Sequence, residues 1–255
     1  MATSKWFEQR KDFIFKEVVR EYVKTCLYCQ DLYAACKREG EIPFPSMDYW
    51  VGTETRPGPL WQLKDTCHLL FRNSGAACGL REYLFDWAVG SAFHAAMKLK
   101  EDVYLLGSYR LRHDALEGCT DPITLRRLER CRQTTERIAR TLPQQLRDIR
   151  HLLDEAGRQL RDLLADQKQN KLLMRFLLEE ERELEKVWGP GALGGLFHDA
   201  FPQGAHLGYC LAGQSYFEGG WYKDAHDAFQ RALSVNPKSL KARRGLDEAR
   251  RMLKV

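Results

Sequence analysis

Residues 206–239, HLGYCLAGQSYFEGGWYKDAHDAFQRALSVNPKS, hold the pattern from which the fold is read. They read as two short helices joined by a turn. The first carries Tyr209, Gly213 and Tyr216, and the second carries Ala225, Phe229 and Ala232. Small residues at Gly213, Ala225 and Ala232 allow two helix axes to approach closely, while the aromatic rings fill the space beside them. Pro237 closes the unit, because proline has no N–H to donate and its ring clashes with the preceding turn.

Taken together, Tyr209, Gly213, Tyr216, Ala225, Phe229, Ala232 and Pro237 resemble one tetratricopeptide repeat, a 34-residue helical hairpin. Tyr209 stands where the consensus has tryptophan, and Ala212 where it has leucine. The resemblance implies a recognition scaffold and no catalysis. It places peptide or partner binding on the inner face of the first helix, or else a structural hairpin docked on its own chain. The Asn and Lys residues of a carboxylate clamp do not appear at its inner positions. Setting Pro45 or Pro122 in the place of Pro237 reveals no earlier copy. A single repeat cannot bury its own apolar face, and about three are usually needed. The hairpin must therefore lean on the linker before it, on upstream helices or on a second subunit.

Downstream, residues 240–253 form a last helix with Leu240, Arg243, Leu246, Ala249 and Leu253 along one side, suited to cap the repeat. Upstream, residues 189–205 (GPGALGGLFHDAFPQGA) read as a Gly/Pro linker without regular helix. Before it, residues 121–188 carry a heptad seam. One row steps from Leu128 through Thr135, Leu142, Ile149, Ala156, Leu163, Asn170, Leu177 and Leu184; a second runs through Ala139, Leu146, Leu153, Leu160, Gln167 and Met174. Asp121-Pro122 is a good helix start, and Pro143 predicts a kink or break. A continuous helix from Pro143 to Val187 would be about 65 Å long at ~1.5 Å per residue. That length favours a protruding coiled-coil arm, with homo-oligomerisation through residues 121–188. The alternative is a break at the polar run 166–170, giving an antiparallel pair.

Residues 1–112 read as an N-terminal helical bundle. Ile14, Phe15, Val18, Val19, Tyr22, Val23, Cys26, Cys29, Tyr33 and Cys36 fall on one helix face. A loop rich in proline and aromatic residues, 40–59, is expected to pack over the helices. A second helix over 60–71 points Leu60, Leu63, Cys67, Leu70 and Phe71 inward. After a turn at 73–79, a third over 80–106 carries Tyr83, Leu84, Trp87, Ala88, Ser91, Ala95, Leu99 and Val103. The fold class is thus all-α: an N-terminal bundle, a long heptad-patterned arm, and a tetratricopeptide-like hairpin at residues 206–255 with its capping helix.

The 255 residues carry 40 Lys and Arg against 35 Asp and Glu, a net charge of +5. That near-balance argues against a nucleic-acid partner. Glu129 and Glu136 are interleaved with Arg126, Arg127, Arg130, Arg132, Arg137 and Arg140, as on a solvated or coiled-coil face. The apolar run 87–97 is far short of the ~20 residues of a membrane span, and residues 1–13 lack the features of a secretory signal. A cytoplasmic location with reduced, mostly buried cysteines is expected.

Cys26-Leu-Tyr-Cys29 has the spacing of a zinc or redox pair. Yet Tyr22, Cys26, Cys29, Tyr33 and Cys36 alternate by four and three along one inward helix seam, and no second pair completes four ligands. Asp65, His68, His94 and Glu101 supply the other candidate, a metal- or cofactor-bearing bundle built from facing helices. No phosphate loop, nucleophile elbow or His-Glu-x-x-His motif occurs. The sequence therefore points to a non-enzymatic protein-interaction scaffold without a cofactor, and its alternative is the metal-binding bundle.

Overall fold

In the computed structural model, residues 5–73, 79–116 and 118–254 are described. They form eleven helices, and no strand occurs among the described residues: α1 Lys5–Glu39, α2 Phe44–Val51, α3 Pro59–Asn73, α4 Gly79–Leu116, α5 Pro122–Asp166, α6 Lys171–Glu179, α7 Glu181–Trp188, α8 Ala192–Ala200, α9 His206–Glu218, α10 Tyr222–Val235 and α11 Leu240–Met252. The fold is all-α. The turn expected at 73–79 falls largely on residues 74–78, outside the described residues.

Two compact units emerge, Arg20–Arg72 with Tyr83–Ala156, and Met1–Val19 with Asn73–Glu82 and Gly157–Val255. These units cut across the expected segments 1–112, 121–188, 189–205 and 206–255. The reason is helix length. At 35, 38 and 45 residues, α1, α4 and α5 are long enough for each to supply side chains to both units.

The first unit has a largely apolar core. Tyr22, Cys26, Cys29 and Cys36 from α1 are buried, as are Leu60, Leu63, Cys67 and Leu70 from α3 and Leu142, Leu146, Ile149 and Leu153 from α5. Tyr22 donates its hydroxyl to the carbonyl of Leu153 at 3.1 Å, which fixes α1 against α5. The proline-rich loop departs from expectation by forming α2. Pro43 holds the extended geometry of a cap residue and Pro45 lies in the first turn, where a missing N–H costs nothing. Met47, Trp50 and Val51 are then buried, and the Trp50 indole donates to the carbonyl of Thr25 at 3.1 Å. The turn that follows needs glycine twice. Gly52 has φ +79°, and a Cβ on Gly58 would sit 2.3 Å from the Tyr49 carbonyl oxygen.

On α4 the inward face differs from the one expected. Ala88, Leu99 and Val103 are buried, but so are Phe85, Val89, Ala92 and Phe93, while Tyr83, Leu84 and Trp87 are exposed. Apolar residues lie on both sides of this helix, so periodicity alone does not choose between them.

Along α5 the heptad seam is occupied within the chain. Leu142, Leu146, Ile149, Leu153, Ala156, Leu160 and Leu163 are all buried. From Leu142 to Leu163 the seam is thus covered within the chain and does not form the protruding arm expected, while Leu128, Thr135 and Ala139 at its start are half-buried. Nor does Pro143 interrupt the helix, which continues through it to Asp166. An interior proline costs roughly 3 kcal/mol, and the buried Leu142 and Leu146 on either side hold the segment in place. The break comes at the polar run instead. Asn170 caps α6 by accepting the Leu173 N–H at 3.0 Å and donates to Asp12.

In the second unit, α9 packs on α6, α8, α10 and α11. The expected linker is not irregular. Residues 192–200 form α8 although Gly194 and Gly195 lie inside it, because Leu193, Leu196 and Phe197 are buried and anchor the turn. Pro190 and Pro202 fall outside the helix, and positive φ is confined to Gly189, Gly191 and Gly204 around it.

Candidate partner-binding groove

Helices α9, α10 and α11 form one packed layer built around Phe229. A Cβ on Gly213 of α9 would lie 3.0 Å from the Phe229 ring, and one on Gly245 of α11 would lie 2.4 Å from it. The ring wedges between two helices that must both be bare at that level. Tyr209, Tyr216, Ala225, Phe229 and Ala232 are buried; Pro237 is exposed between α10 and α11. These residues and Gly213 are packing elements, so they do not themselves offer a surface to a partner.

The other side of α9 is covered by the chain's own helices. Phe197 of α8 meets Tyr209 edge-on at 5.0 Å, and a Cβ on Gly208 would fall 2.4 Å from the Phe197 ring. Arg231 of α10 forms a two-pronged ion pair with Glu181 at 2.8 and 2.5 Å, and its guanidinium also lies 5.1 Å from the Tyr209 ring. Arg175 of α6 stacks 4.3 Å from Trp221 and 5.6 Å from Tyr216. Burial pushes both Tyr209 and Tyr216 above the ordinary phenol value, and the Glu179 carboxylate adds to the rise at Tyr216.

What stays open is a groove between α9 and α11 of about 550 Å³. Gln214 and Phe217 line it from α9, Lys241, Arg244 and Glu248 from α11, and Phe229 and Gly245 form its floor. At one end Glu218 accepts from Lys171 at 2.6 Å and from Gln214 at 3.1 Å, and the Lys171 ammonium holds it below the usual carboxylate range. Lys241 and Arg244 make no ion pair with any described residue, leaving the α11 wall cationic beside an apolar floor. Such a surface suits an extended segment with one apolar and one acidic side chain. Of the groove residues, the sequence pattern points to Phe229 alone; Gln214, Phe217, Lys241, Arg244 and Glu248 are not part of it. Their signal was the row Lys241, Arg244 and Glu248 on the last helix, which reads as an ordinary solvated face.

The remaining candidates do not converge. Asp65 lies beside Lys64 at 3.2 Å, His68 faces Asp86 at 3.4 Å, and His94 and Glu101 are exposed on α4. Among the described residues no three His, Cys, Asp or Glu side chains are grouped as a metal site requires. Cys26, Cys29 and Cys36 are buried; desolvation raises the thiol of Cys26 and pushes that of Cys29 up to about 12. On the arginine-rich start of α5, Arg132 is engaged by Glu129 and Glu136 at 2.8 and 2.7 Å. No described helix is long and apolar enough to cross a membrane. No family model, curated protein or solved structure matches the chain.

Proposed function

We propose that this chain is a non-enzymatic interaction protein whose tetratricopeptide-like C-terminal hairpin binds an extended segment of a partner protein in the α9–α11 groove. One observation carries the reading. The α6–α8 side of α9 is sealed by its own chain, whereas the α11 side keeps an open hollow floored by Phe229 and walled by Lys241 and Arg244. The occupant is an apolar side chain seated against Phe217 and Phe229, followed by a carboxylate that meets Lys241 and Arg244. Charge-assisted contacts of this kind are worth roughly 1.5–3 kcal/mol each.

The test is selection from a displayed peptide library on the full-length protein, followed by affinity measurement on Lys241→Glu/Arg244→Glu. Selected peptides should pair an acidic with an apolar residue and lose at least tenfold in affinity on the double variant. Binding that is indifferent to the double variant would place the partner elsewhere.

A further inference from the structure

From Tyr83 onward, α4 presents an apolar stripe to solvent, its two end tyrosines resting at a tilt on Phe71 and Phe44. One row steps by sevens through Tyr83, Gly90, Met97 and Tyr104; beside it lie Leu84 and Leu105, and between them Trp87, His94 and Glu101. Trp87 is 55% exposed and Tyr104 58%, in a helix whose opposite side is fully buried. Gly90 sits in the middle of the helix with nothing within 4 Å of where its Cβ would be. Glycine inside a helix costs about 1 kcal/mol relative to alanine, and no contact in its own chain calls for it. At one end of the stripe, Phe44, Met97, Tyr104 and Leu105 enclose a shallow hollow of about 420 Å³ with Lys100 and Glu101 on its rim. At the other end, Tyr83, Leu84 and Trp87 stand out from the surface.

We propose that this stripe is the contact of a homodimer in which α4 packs antiparallel against α4 of a second copy, with His94 on the two-fold axis. Residues whose numbers sum to 188 then face one another. Tyr83 meets Leu105 and Leu84 meets Tyr104, so the protruding end of each copy enters the hollow of the other. Gly90 receives the stem of Lys98, and Trp87 covers Glu101. Within the exposed stripe the one like-charge pair is His94 with itself; Asp86 and Asp102, which also sum to 188, are half-buried and turned to His68 and Gln145 of their own chain. A parallel pairing would set Lys98 against Lys98 and Glu101 against Glu101, at a cost in like-charge repulsion. The area is adequate. Aromatic side chains bury ~150–250 Å² each, so the half-exposed members give about 500 Å² per copy. Two copies bury roughly 1,000 Å², the threshold that a specific interface clears.

The experiment is light scattering on the full chain at micromolar concentration, alongside Trp87→Glu, Leu84→Glu and, as a control outside the stripe, Phe13→Glu. Trp87, Leu84 and Phe13 are all exposed, and helix content by circular dichroism checks that each variant is folded. Wild type and Phe13→Glu should run at twice the 29.6 kDa chain mass, and the two stripe variants at the single-chain mass. In a Cys119→Ser background, His94→Cys should cross-link to a dimer under mild oxidation. A wild-type monomer assigns the stripe to another occupant and overturns the proposal. A dimer unchanged by both stripe variants overturns it too, and a dimer without the residue-94 cross-link overturns the antiparallel pairing.

Discussion

Replacing Gly245 by alanine tests whether Phe229 is wedged between α9 and α11. At an open helix position the added methyl stabilises by about 1 kcal/mol, through lower unfolded-state entropy and better helix propensity. At Gly245 the new Cβ would lie 2.4, 2.5 and 2.7 Å from the Cζ, Cε1 and Cε2 atoms of Phe229. Carbon atoms settle at about 3.5–4.0 Å, so the ring must retreat by roughly an ångström. The ring already lies close over bare Gly213 on the other side, where an added Cβ would stand only 3.0 Å away, so room to retreat is small. Overpacking of this size costs ~1–3 kcal/mol. The net effect is destabilisation by about 0–2 kcal/mol, opposite in sign to the propensity gain. The control is Gly107→Ala on α4, where nothing lies within 4 Å of the new methyl and about 1 kcal/mol of stabilisation is expected.

Global denaturation is a poor readout here, because a chain with two compact units need not unfold in one step. Amide hydrogen exchange resolved to α9, α10 and α11 reports the opening of that layer alone. Gly245→Ala should speed exchange there, and combining it with Phe229→Leu should be less damaging than the sum of the two, with a coupling of about 1 kcal/mol or more. Slower exchange in Gly245→Ala than in wild type would refute the wedge and, with it, the floor assigned to the groove.

Two further outcomes follow from buried titratable groups. Cys26, Cys29 and Cys67 are buried with thiols raised by desolvation, so at pH 8 iodoacetamide should modify exposed Cys119 first and leave those three until the protein opens; peptide-resolved mass spectrometry reads this directly. Glu82 is buried with one carboxylate oxygen lacking a hydrogen bond, and desolvation raises its pKa above the ordinary 4.5. A raised carboxyl favours the folded state only while it is protonated, so stability falls as pH rises through the folded value. Glu82→Gln should therefore raise Tm at pH 7, with an advantage that disappears below about pH 4; an equal gain at both pH values would contradict it.

Much of the helix content was legible because it is written in spacing. The heptads of α5, the inward cysteines of α1 and the aromatic–small pattern of α9 and α10 each bury one face. Four places were not legible, each for a physical reason. The helices α2 and α8 lie among prolines and glycines that a local reading treats as breakers. Trp50 in one and Phe197 in the other bury large side chains that outweigh those local costs. Pro143 fails to break α5 for the same reason. On α4, apolar residues occupy both sides, and only tertiary packing distinguishes Phe85, which is buried, from Trp87, which is not. That ambiguity conceals the stripe from sequence, since a surplus of apolar positions reads simply as more core.

That the α9–α10 hairpin is covered without an earlier copy of its pattern is explained by what a hairpin requires of its neighbours. A helical hairpin needs its apolar side covered by side chains of the right size at the right height, and nothing in that demand specifies a repeated sequence. Phe197 fills the gap left by Gly208. Arg175 covers Trp221 and Tyr216 with a flat cation. Arg231 is held over Tyr209 by Glu181. None of α6, α7 or α8 carries small and aromatic residues in the order of the quoted stretch, yet together they seal the same face. A single helical hairpin is then covered by its own chain. The helix that follows it, α11, is left with Ala242, Gly245, Leu246 and Ala249 inward and a charged outer side. With its apolar needs met on one side only, the hairpin keeps the α9–α11 hollow, and there Lys241 and Arg244 of α11 are not taken up in ion pairs with described residues.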